Sequence, residues 1–220
     1  KWLVPLPAGM NGKTAMTIGT AGFTAMLCIM ALEEAGITPD QGKIVVSGAA
    51  GGVGSVAIAL LSQLGFQVTA ISGREELTGY LKSLGANEVI SREEMAKPAR
   101  PLEAQRWAGA VDTVGDAILA RILAETDYNG AVAACGLAMG AKLNTTVMPF
   151  ILRNVRLLGV DSVMCPYARR NEAWNRLSQV LQTTVVEDIT RVVALEDVAG
   201  VADDMMQGNV KGRVVVDLNG

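Results

Sequence analysis

The sequence predicts an α/β protein built on a doubly wound parallel sheet, and three observations lead to this fold class. Short apolar runs rich in β-branched residues alternate with helical patterns over most of the 220 residues. Half of the residues are hydrophobic and 19% are charged, which is the composition of a folded domain. A glycine-rich turn also stands between the first predicted strand and the helix after it, where such folds bind their ligands.

The charge and the residue types exclude several classes of function. The formal net charge of −3 gives no electrostatic reason to bind nucleic acid or an anionic membrane, so neither is predicted as a partner. The chain contains no His, which excludes Ser-His-Asp and Cys-His nucleophile systems and any His-containing metal site. The three cysteines, Cys28, Cys135 and Cys165, are scattered and predict reduced thiols in a cytoplasmic protein, with no metal bound.

The first long apolar segment is predicted to be a buried helix. Ala15 to Leu32 is an uncharged run of 18 residues, which is long enough for a membrane span. Several Thr and Gly residues dilute its hydrophobicity, and it lacks flanking Trp or Tyr residues and a cluster of Lys and Arg that would set an orientation in a membrane. We therefore expect the helix to continue to Ala35 and to end at Gly36. The chain begins without Met, and we expect it to be part of a longer polypeptide.

The remaining elements follow from the same patterns. Strands are predicted at 43–47, 67–71, 88–90, 109–113, 131–135 and 156–160. Helices are predicted at about 52–64, 75–84, 116–125 and 166–181, and residues 97–106 read as a surface connection. A final strand, helix and strand are predicted at 190–194, 195–206 and 213–217. The alternation favours parallel strands joined by right-handed crossovers.

The strongest chemical signal is the turn from Ser47 to Ser55, which follows a strand and opens a helix. In the three-glycine dinucleotide pattern its positions are Ala49, Gly51 and Gly54, so Ala replaces the first glycine. A pyrophosphate needs the backbone N–H groups of a helix start, and residues without side chains let it approach closely. The sequence therefore predicts a dinucleotide site, with a plain βα packing turn as the alternative.

The end of the second strand indicates which dinucleotide binds. An NAD site normally has Asp or Glu there to bind the adenosine ribose, but this strand ends in Ser72, Gly73 and Arg74. A guanidinium can grip the 2′-phosphate of NADP with two parallel hydrogen bonds. Glu75 and Glu76 are the competing candidates for an NAD-type acid, yet they are expected in the first turn of the next helix. NADP(H) is the predicted cofactor.

Several motifs resemble one known family. They are Gly19 to Ala25, the loop from Ala49 to Gly54, Val111 to Gly115, and Lys211 to Val216. Together they resemble the zinc-independent medium-chain reductases of the quinone oxidoreductase-like branch. Ser72 to Arg74, Pro149 to Arg153 and Leu158 to Val163 are similar to bacterial NADPH-dependent acrylyl-CoA reductases.

The resemblance implies an activity and a missing part. It implies hydride transfer from NADPH to the double bond of an α,β-unsaturated thioester, with acrylyl-CoA giving propionyl-CoA. It also implies an N-terminal barrel-like (GroES-like) catalytic domain of which this chain lacks most. Residues 1–14 would then be a remnant of that domain, 15–188 the NADP-binding Rossmann domain, and 189–220 a segment returning to the missing domain. Any proton donor in the barrel lies outside this sequence, so the catalytic residues are unknown.

The resemblance further implies a set of cofactor-binding residues. Those at the pyrophosphate are Gly51, Gly52, Val53, Gly54 and Ser55. Those at the 2′-phosphate and adenine are Ser72, Gly73, Arg74 and Arg92. Those at the nicotinamide end are Thr20, Leu137, Ile151 and Ser162. Leu137 and Ser162 follow predicted strands, which is where ligands lie in open α/β sheets.

Other residues and functions leave alternatives open. Asp112 could touch the cofactor ribose or satisfy backbone donors in its loop. A buried structural role is favoured for Cys135, surface solvation for Arg153, Arg156, Arg169 and Arg170, and core filling for Met205 and Met206. The alternative functions are an NADPH:quinone or enal reductase and a non-catalytic NADPH-binding sensor. A homodimer through an edge strand near Arg156–Val163 is also expected.

Overall fold

The computed structural model of the protein describes residues 3–218 and contains a six-stranded parallel sheet. Its strands are β1 (Lys43–Val46), β2 (Gln67–Ser72), β3 (Glu88–Ser91), β4 (Trp107–Asp112), β5 (Thr126–Ala134) and β6 (Arg156–Gly159). The strand order is β3-β2-β1-β4-β5-β6. The order reverses between β1 and β4, and the carboxyl ends of these two strands therefore flank the crevice where open α/β sheets bind ligands.

Helices cover both faces of the sheet, as the alternating pattern predicts. The helices are α1 (Gly12–Glu34), α2 (Gly52–Gln63), α3 (Thr78–Ser83), α4 (Arg92–Met95), α5 (Asp116–Glu125), α6 (Met148–Arg153), α7 (Tyr167–Val180), α8 (Thr183–Ile189) and α9 (Val198–Met206). One apolar cluster joins α1, α2 and α7 to one face, and a second joins α4 and α5 to the other. Neighbouring β1 residues separate accordingly, since Ile44 and Val46 lie in the first cluster and Val45 in the second.

Helix α1 is a kinked core helix. Gly19 interrupts its helical backbone with φ 48° and ψ −154°, a conformation that glycine adopts without a steric penalty. By length and composition α1 could cross a membrane, yet 67% of its most apolar window is buried inside the protein. It packs against α2, α7 and β5, which agrees with the predicted buried helix.

The structure corrects several predicted boundaries. The segment predicted as one helix over 75–84 begins with a 3₁₀ turn, Glu75–Leu77, and 195–206 likewise begins with Leu195–Asp197. β5 starts five residues earlier than predicted, at Thr126. Three short helices, α4, α6 and α8, were not predicted, because four to seven residues are too few to show a helical period.

The last two strands form a separate small sheet. β7 (Thr190–Ala194) pairs in parallel with β8 (Arg213–Asp217), and α9 connects them. Gly212, just before β8, donates its backbone N–H to the carbonyl of Ala50 in the glycine-rich turn, at 2.9 Å. The C-terminal segment therefore contacts the predicted phosphate site. The division at residues 14 and 188 stays a prediction.

Candidate dinucleotide site

The turn between β1 and α2 has the backbone geometry of a phosphate-binding loop. Its positive φ falls on Gly48 (57°), so Ala49, the departure from the glycine pattern, needs no unusual backbone conformation. Gly54 lies against the turn, and a Cβ there would be 2.7 Å from the Cα of Ala49 and would also collide with the carbonyl oxygen of Gly48. Glycine at position 54 is thus required for α2 to approach the turn closely.

The amino end of α2 points into open space with a cation beside it. No side chain among residues 3–218 caps this helix, whose N-cap residue is the exposed Gly51. The half-buried guanidinium of Arg213 lies next to it, and a Cβ on Gly52 would be 2.9 Å from its Nη1 atom. Its Nη2 atom lies equally near the kink, 2.8 Å from a Cβ placed on Gly19. A helix start and a guanidinium together make a site for an anion.

Sequence reasoning missed Arg213 as a site residue. Its Nε atom donates to the carbonyl of Thr17 at 2.7 Å, and burial lowers the pKa of its guanidinium. No carboxylate in the described residues forms an ion pair with it. The only signal in the sequence was a basic residue at the start of the last predicted strand, 159 positions beyond Gly54 in the chain.

The end of β2 gathers two further guanidinium groups. The backbone N–H of Arg74 donates to the hydroxyl of Ser72 at 3.1 Å, which orders the turn. The guanidinium of Arg92 lies directly over Gly73, since a Cβ there would be 2.6 Å from its Cζ atom. Neither arginine has a carboxylate partner within residues 3–218. Two cations without acidic partners at one strand end suit a dianionic phosphate.

Glu75 and Glu76 do not take the place of an NAD-type acid. Both are exposed in the 3₁₀ turn that follows Arg74, ahead of α3 rather than in the first turn of a helix as predicted, and neither lines the cleft. The cleft itself has a volume of about 720 Å³. One wall is the glycine turn and the end of β2, and the other is formed by Thr113, Val114, Ile118, Ala138 and Met139.

The segment after α9 closes this cleft, which the sequence analysis did not anticipate. Residues 205–210 line it together with the end of β2. Met205 and Met206, predicted to fill the core, are instead 59% and 88% exposed. They end α9, a helix that buries only Val201, so that prediction is wrong.

Asp112 is a structural group behind the loop. It is fully buried, and its carboxylate accepts from the hydroxyl of Ser47 at 2.6 Å and from the backbone N–H of Gly115 at 2.9 Å. Burial raises the pKa of Asp112, while these hydrogen bonds act in the opposite direction. Of the two roles left open, the observed contacts support that of satisfying donors in the loop.

The four residues predicted at the nicotinamide end do not line the described cleft. Leu137 and Ile151 are 65% and 71% exposed, Thr20 is exposed beside the Gly19 kink, and Ser162 is half-buried. Leu137 follows β5 and Ser162 follows β6, so both lie beyond carboxyl ends of parallel strands as predicted. The described residues leave this end open.

The predicted cluster of four arginines is divided among separate structural contacts. Arg153 is buried and donates to the carbonyls of Ala124, Thr126 and Glu103, so the prediction of surface solvation is wrong for it. Arg156 donates to the carbonyl of Asn129, and Arg169 pairs with Glu34. Arg170 lies over the ring of Phe23.

The side chains of the described residues do not fit a metal ion. Within residues 3–218 there is no cluster of three or more Cys, Asp and Glu side chains that could hold one. Cys28 is deeply buried, and the thiol of half-buried Cys135 donates to the carbonyl oxygen of Asp112 at 3.5 Å. Hydrogen bonding with the Cys28 thiol lowers the pKa of Cys135, even though burial opposes the shift. Among the described residues these thiols lack the further ligands that a metal centre needs.

A parallel sheet with a glycine-lined turn at its switch point, and guanidinium groups around that turn, defines a dinucleotide-binding domain of the Rossmann type. Residues 52–182 match the family described as zinc-binding dehydrogenase, and the chain belongs to this family.

Named relatives and solved structures agree with this assignment. The chain is 53% identical to the acrylyl-CoA reductase AcuI of Ruegeria pomeroyi, covering 99% of this chain and 66% of that protein. The YhdH oxidoreductase of Salmonella enterica in complex with NADP is 59% identical, with a TM-score of 0.97 over 99% of this chain and 67% of that one. YhfP of Bacillus subtilis with NAD bound is 46% identical, with a TM-score of 0.95 and coverages of 99% and 67%. This chain spans about two thirds of the length of these relatives.

Proposed function

We propose that this chain is the NADPH-binding part of an oxidoreductase that transfers hydride to the carbon–carbon double bond of an α,β-unsaturated acyl-CoA. The assignment of NADPH as cofactor rests on Arg74, a half-buried residue that follows β2 and lines the cleft. The strand end around it carries no acid, and Arg92 adds a second cation over Gly73. The NADP-bound structure of the Salmonella enterica relative supports the same cofactor.

We assign a role to each group of site residues from its contacts. The backbone N–H groups at Gly52, Val53 and Gly54 would bind the pyrophosphate, together with the guanidinium of Arg213. Ser72, Arg74 and Arg92 would bind the 2′-phosphate and the face of the adenine. When bound, NADPH supplies the hydride, and Thr20, Leu137, Ile151 and Ser162 would contact the nicotinamide end.

A titration of an Arg74→Ala variant tests the cofactor assignment. We expect the affinity for NADPH to fall about 50-fold, because a charge-assisted pair of hydrogen bonds to the 2′-phosphate is lost. The affinity for NADH, which lacks that phosphate, should change by less than about three-fold. Fluorescence titration measures both. Equal losses for the two cofactors would show that Arg74 does not recognise the 2′-phosphate.

The acyl-CoA substrate is proposed from the identity to the Ruegeria pomeroyi reductase. A quinone as acceptor is the second candidate, since the Bacillus subtilis relative carries a quinone oxidoreductase name. Steady-state NADPH oxidation by the complete polypeptide with acrylyl-CoA and with a benzoquinone separates the two. Turnover with the quinone alone would reject the acyl-CoA assignment, and NADPH binding without turnover of either would favour a sensor.

A homodimer is proposed through β6, which ends the sheet at one edge. An edge strand presents unpaired N–H and C=O groups that a second copy can pair with. Light scattering at micromolar concentration should then give twice the monomer mass, and a monomer mass would contradict the pairing. The three free thiols support the proposed cytoplasmic location.

A further inference from the structure

Arg74 is hydrogen-bonded to the backbone of the C-terminal segment. Its Nη2 atom donates to the carbonyl oxygen of Val210 at 3.1 Å. Val210 belongs to residues 207–212, which connect α9 to β8, and residues 207–210 of this segment line the same cleft as Arg74. A guanidinium has five N–H donors, so this single bond leaves others free to face a phosphate.

The connecting segment is itself fastened beside Arg74. The ammonium group of Lys211 lies 4.8 Å from the centre of the Tyr80 ring. The Tyr80 hydroxyl donates to the hydroxyl of Ser55 in α2 at 3.0 Å, so the ring is fixed to the phosphate-loop helix. Val210 therefore reaches Arg74 from a segment anchored one residue further on, at Lys211.

Resting on the NADPH selectivity proposed above, we propose that Lys211 and Tyr80 are positioning residues for Arg74. They hold the segment so that the Val210 carbonyl keeps the guanidinium of Arg74 at the cleft wall before the cofactor arrives. An arginine side chain that is free in solution loses rotamer freedom when it grips a ligand. If the Arg74 side chain is ordered in advance, part of this entropic cost is removed from binding. The gain applies to NADPH, which carries the 2′-phosphate, and not to NADH.

Matched pairs of variants test this role. Lys211→Met and Tyr80→Leu remove the ammonium–ring contact, whereas Lys211→Arg retains a cation over the ring. Tyr80→Phe keeps the ring but removes its hydrogen bond to Ser55. We expect Lys211→Met and Tyr80→Leu to lower the ratio of NADPH to NADH affinity about three- to five-fold, the size expected of a partly exposed cation–π contact. Lys211→Arg should leave the ratio near its original value, and Tyr80→Phe should lower it by less than Tyr80→Leu does. Fluorescence titration gives the ratio, and thermal melting checks that each variant is folded.

The double variant Arg74→Ala/Lys211→Met separates positioning from a direct charge effect. If Lys211 acts through Arg74, its removal changes the ratio no further once Arg74 is absent. A further drop in the double variant would mean that Lys211 attracts the phosphate itself, and the inference would be overturned. Equal loss of NADPH and NADH affinity in Lys211→Met and Tyr80→Leu would also overturn it, because a purely structural role does not distinguish the cofactors.

The Arg74→Ala variant alone keeps the two proposals distinguishable. If it leaves the affinity ratio unchanged, the proposed basis of NADPH selectivity fails. If it lowers the ratio while Lys211→Met and Tyr80→Leu do not, only the positioning role fails.

Discussion

The two ends of the cofactor site differ in how completely this chain builds them. At the adenosine end, Gly54 and Ser55 are buried, and three guanidinium groups surround the glycine turn and the end of β2. At the proposed nicotinamide end, Leu137 and Ile151 expose 65% and 71% of their surface. The first end has groups suited to a phosphate already in place, while the second presents apolar side chains to open space.

This difference follows from what each end must bind. Phosphates are recognised by backbone N–H groups and cations, which one βαβ unit and a neighbouring segment can supply. A nicotinamide beside a substrate needs an enclosed apolar pocket, and exposed apolar side chains mark a surface that another part of a protein covers. The relatives are longer than this chain, which spans about two thirds of them. We expect the additional third to complete the nicotinamide end.

The largest expected effect on stability and NADPH affinity comes from adding one methyl group at the adenosine end, in the Gly54→Ala variant. Gly54→Ala places a Cβ against the carbonyl of Gly48 and the Cα of Ala49, and backbone atoms cannot move aside easily. We expect a loss of about 3 kcal/mol in the free energy of unfolding. The affinity for NADPH should fall about 100-fold, as α2 is displaced from the turn. Denaturant unfolding and NADPH titration measure the two effects.

Gly79→Ala is the matched control for that variant. Gly79 lies in α3, and a Cβ there meets nothing within 4 Å. Alanine is the better helix former, so stability should rise by up to about 1 kcal/mol with NADPH binding unchanged. If Gly54→Ala behaved like this control, the close approach of α2 to the turn would not be needed.

A smaller loss of stability is expected on replacing Asp112, whose buried carboxylate accepts hydrogen bonds behind the same turn. Asp112→Ala leaves the Ser47 hydroxyl and the Gly115 N–H without their acceptor, at a cost of about 2 kcal/mol. Chemical denaturation measures this loss. Because Asp112 does not line the cleft, NADPH affinity should fall far less than in Gly54→Ala. A loss of affinity as large as that of Gly54→Ala would instead place Asp112 at the cofactor.

The pH dependence of stability gives a second test of Asp112. Burial raises its pKa, so the folded state keeps the proton to a higher pH than the unfolded state does. The contribution of Asp112 to the free energy of unfolding is fully present below its pKa in the unfolded state, about 4. This contribution is lost as the pH rises through its pKa in the folded state. The melting temperature of the unmodified protein, relative to Asp112→Asn, should therefore decrease over that interval. A difference that does not change with pH would contradict the raised pKa.

The adenosine end was largely predictable because its signals are local. The glycine turn, Ser72 and Arg74 lie within the 32 residues from Lys43 to Arg74, which form one strand, helix and strand. Each residue's place follows from the strand–turn–helix pattern, and the structure puts Gly51, Ser72, Gly73, Arg74 and Arg92 on one cleft. Their role in cofactor binding stays a prediction until it is measured.

Contacts between distant segments were beyond a single sequence. Arg213 reaches Gly19 and Gly52, and Val210 reaches Arg74, across chain separations of more than 130 residues. Such contacts depend on how α9 and β8 fold back over the sheet. Met205 and Met206 were misplaced for a related reason, because a helical pattern alone does not show how little of α9 packs against the rest of the protein.

The smallest effect on stability is expected at the proposed nicotinamide end. A substitution there tests whether the additional part of the complete polypeptide covers this end. In this chain, Ile151→Ala should change the free energy of unfolding by less than about 0.5 kcal/mol, since Ile151 is 71% exposed. Ile122→Ala is the buried control, and its fully buried side chain in α5 should cost about 3 kcal/mol. In the complete polypeptide, burial of Ile151 at the nicotinamide should make its replacement cost about 1 kcal/mol or more, with a higher KM for NADPH. Denaturant unfolding of both lengths measures the contrast, and equal small effects in both would show that the nicotinamide end is not formed at Ile151.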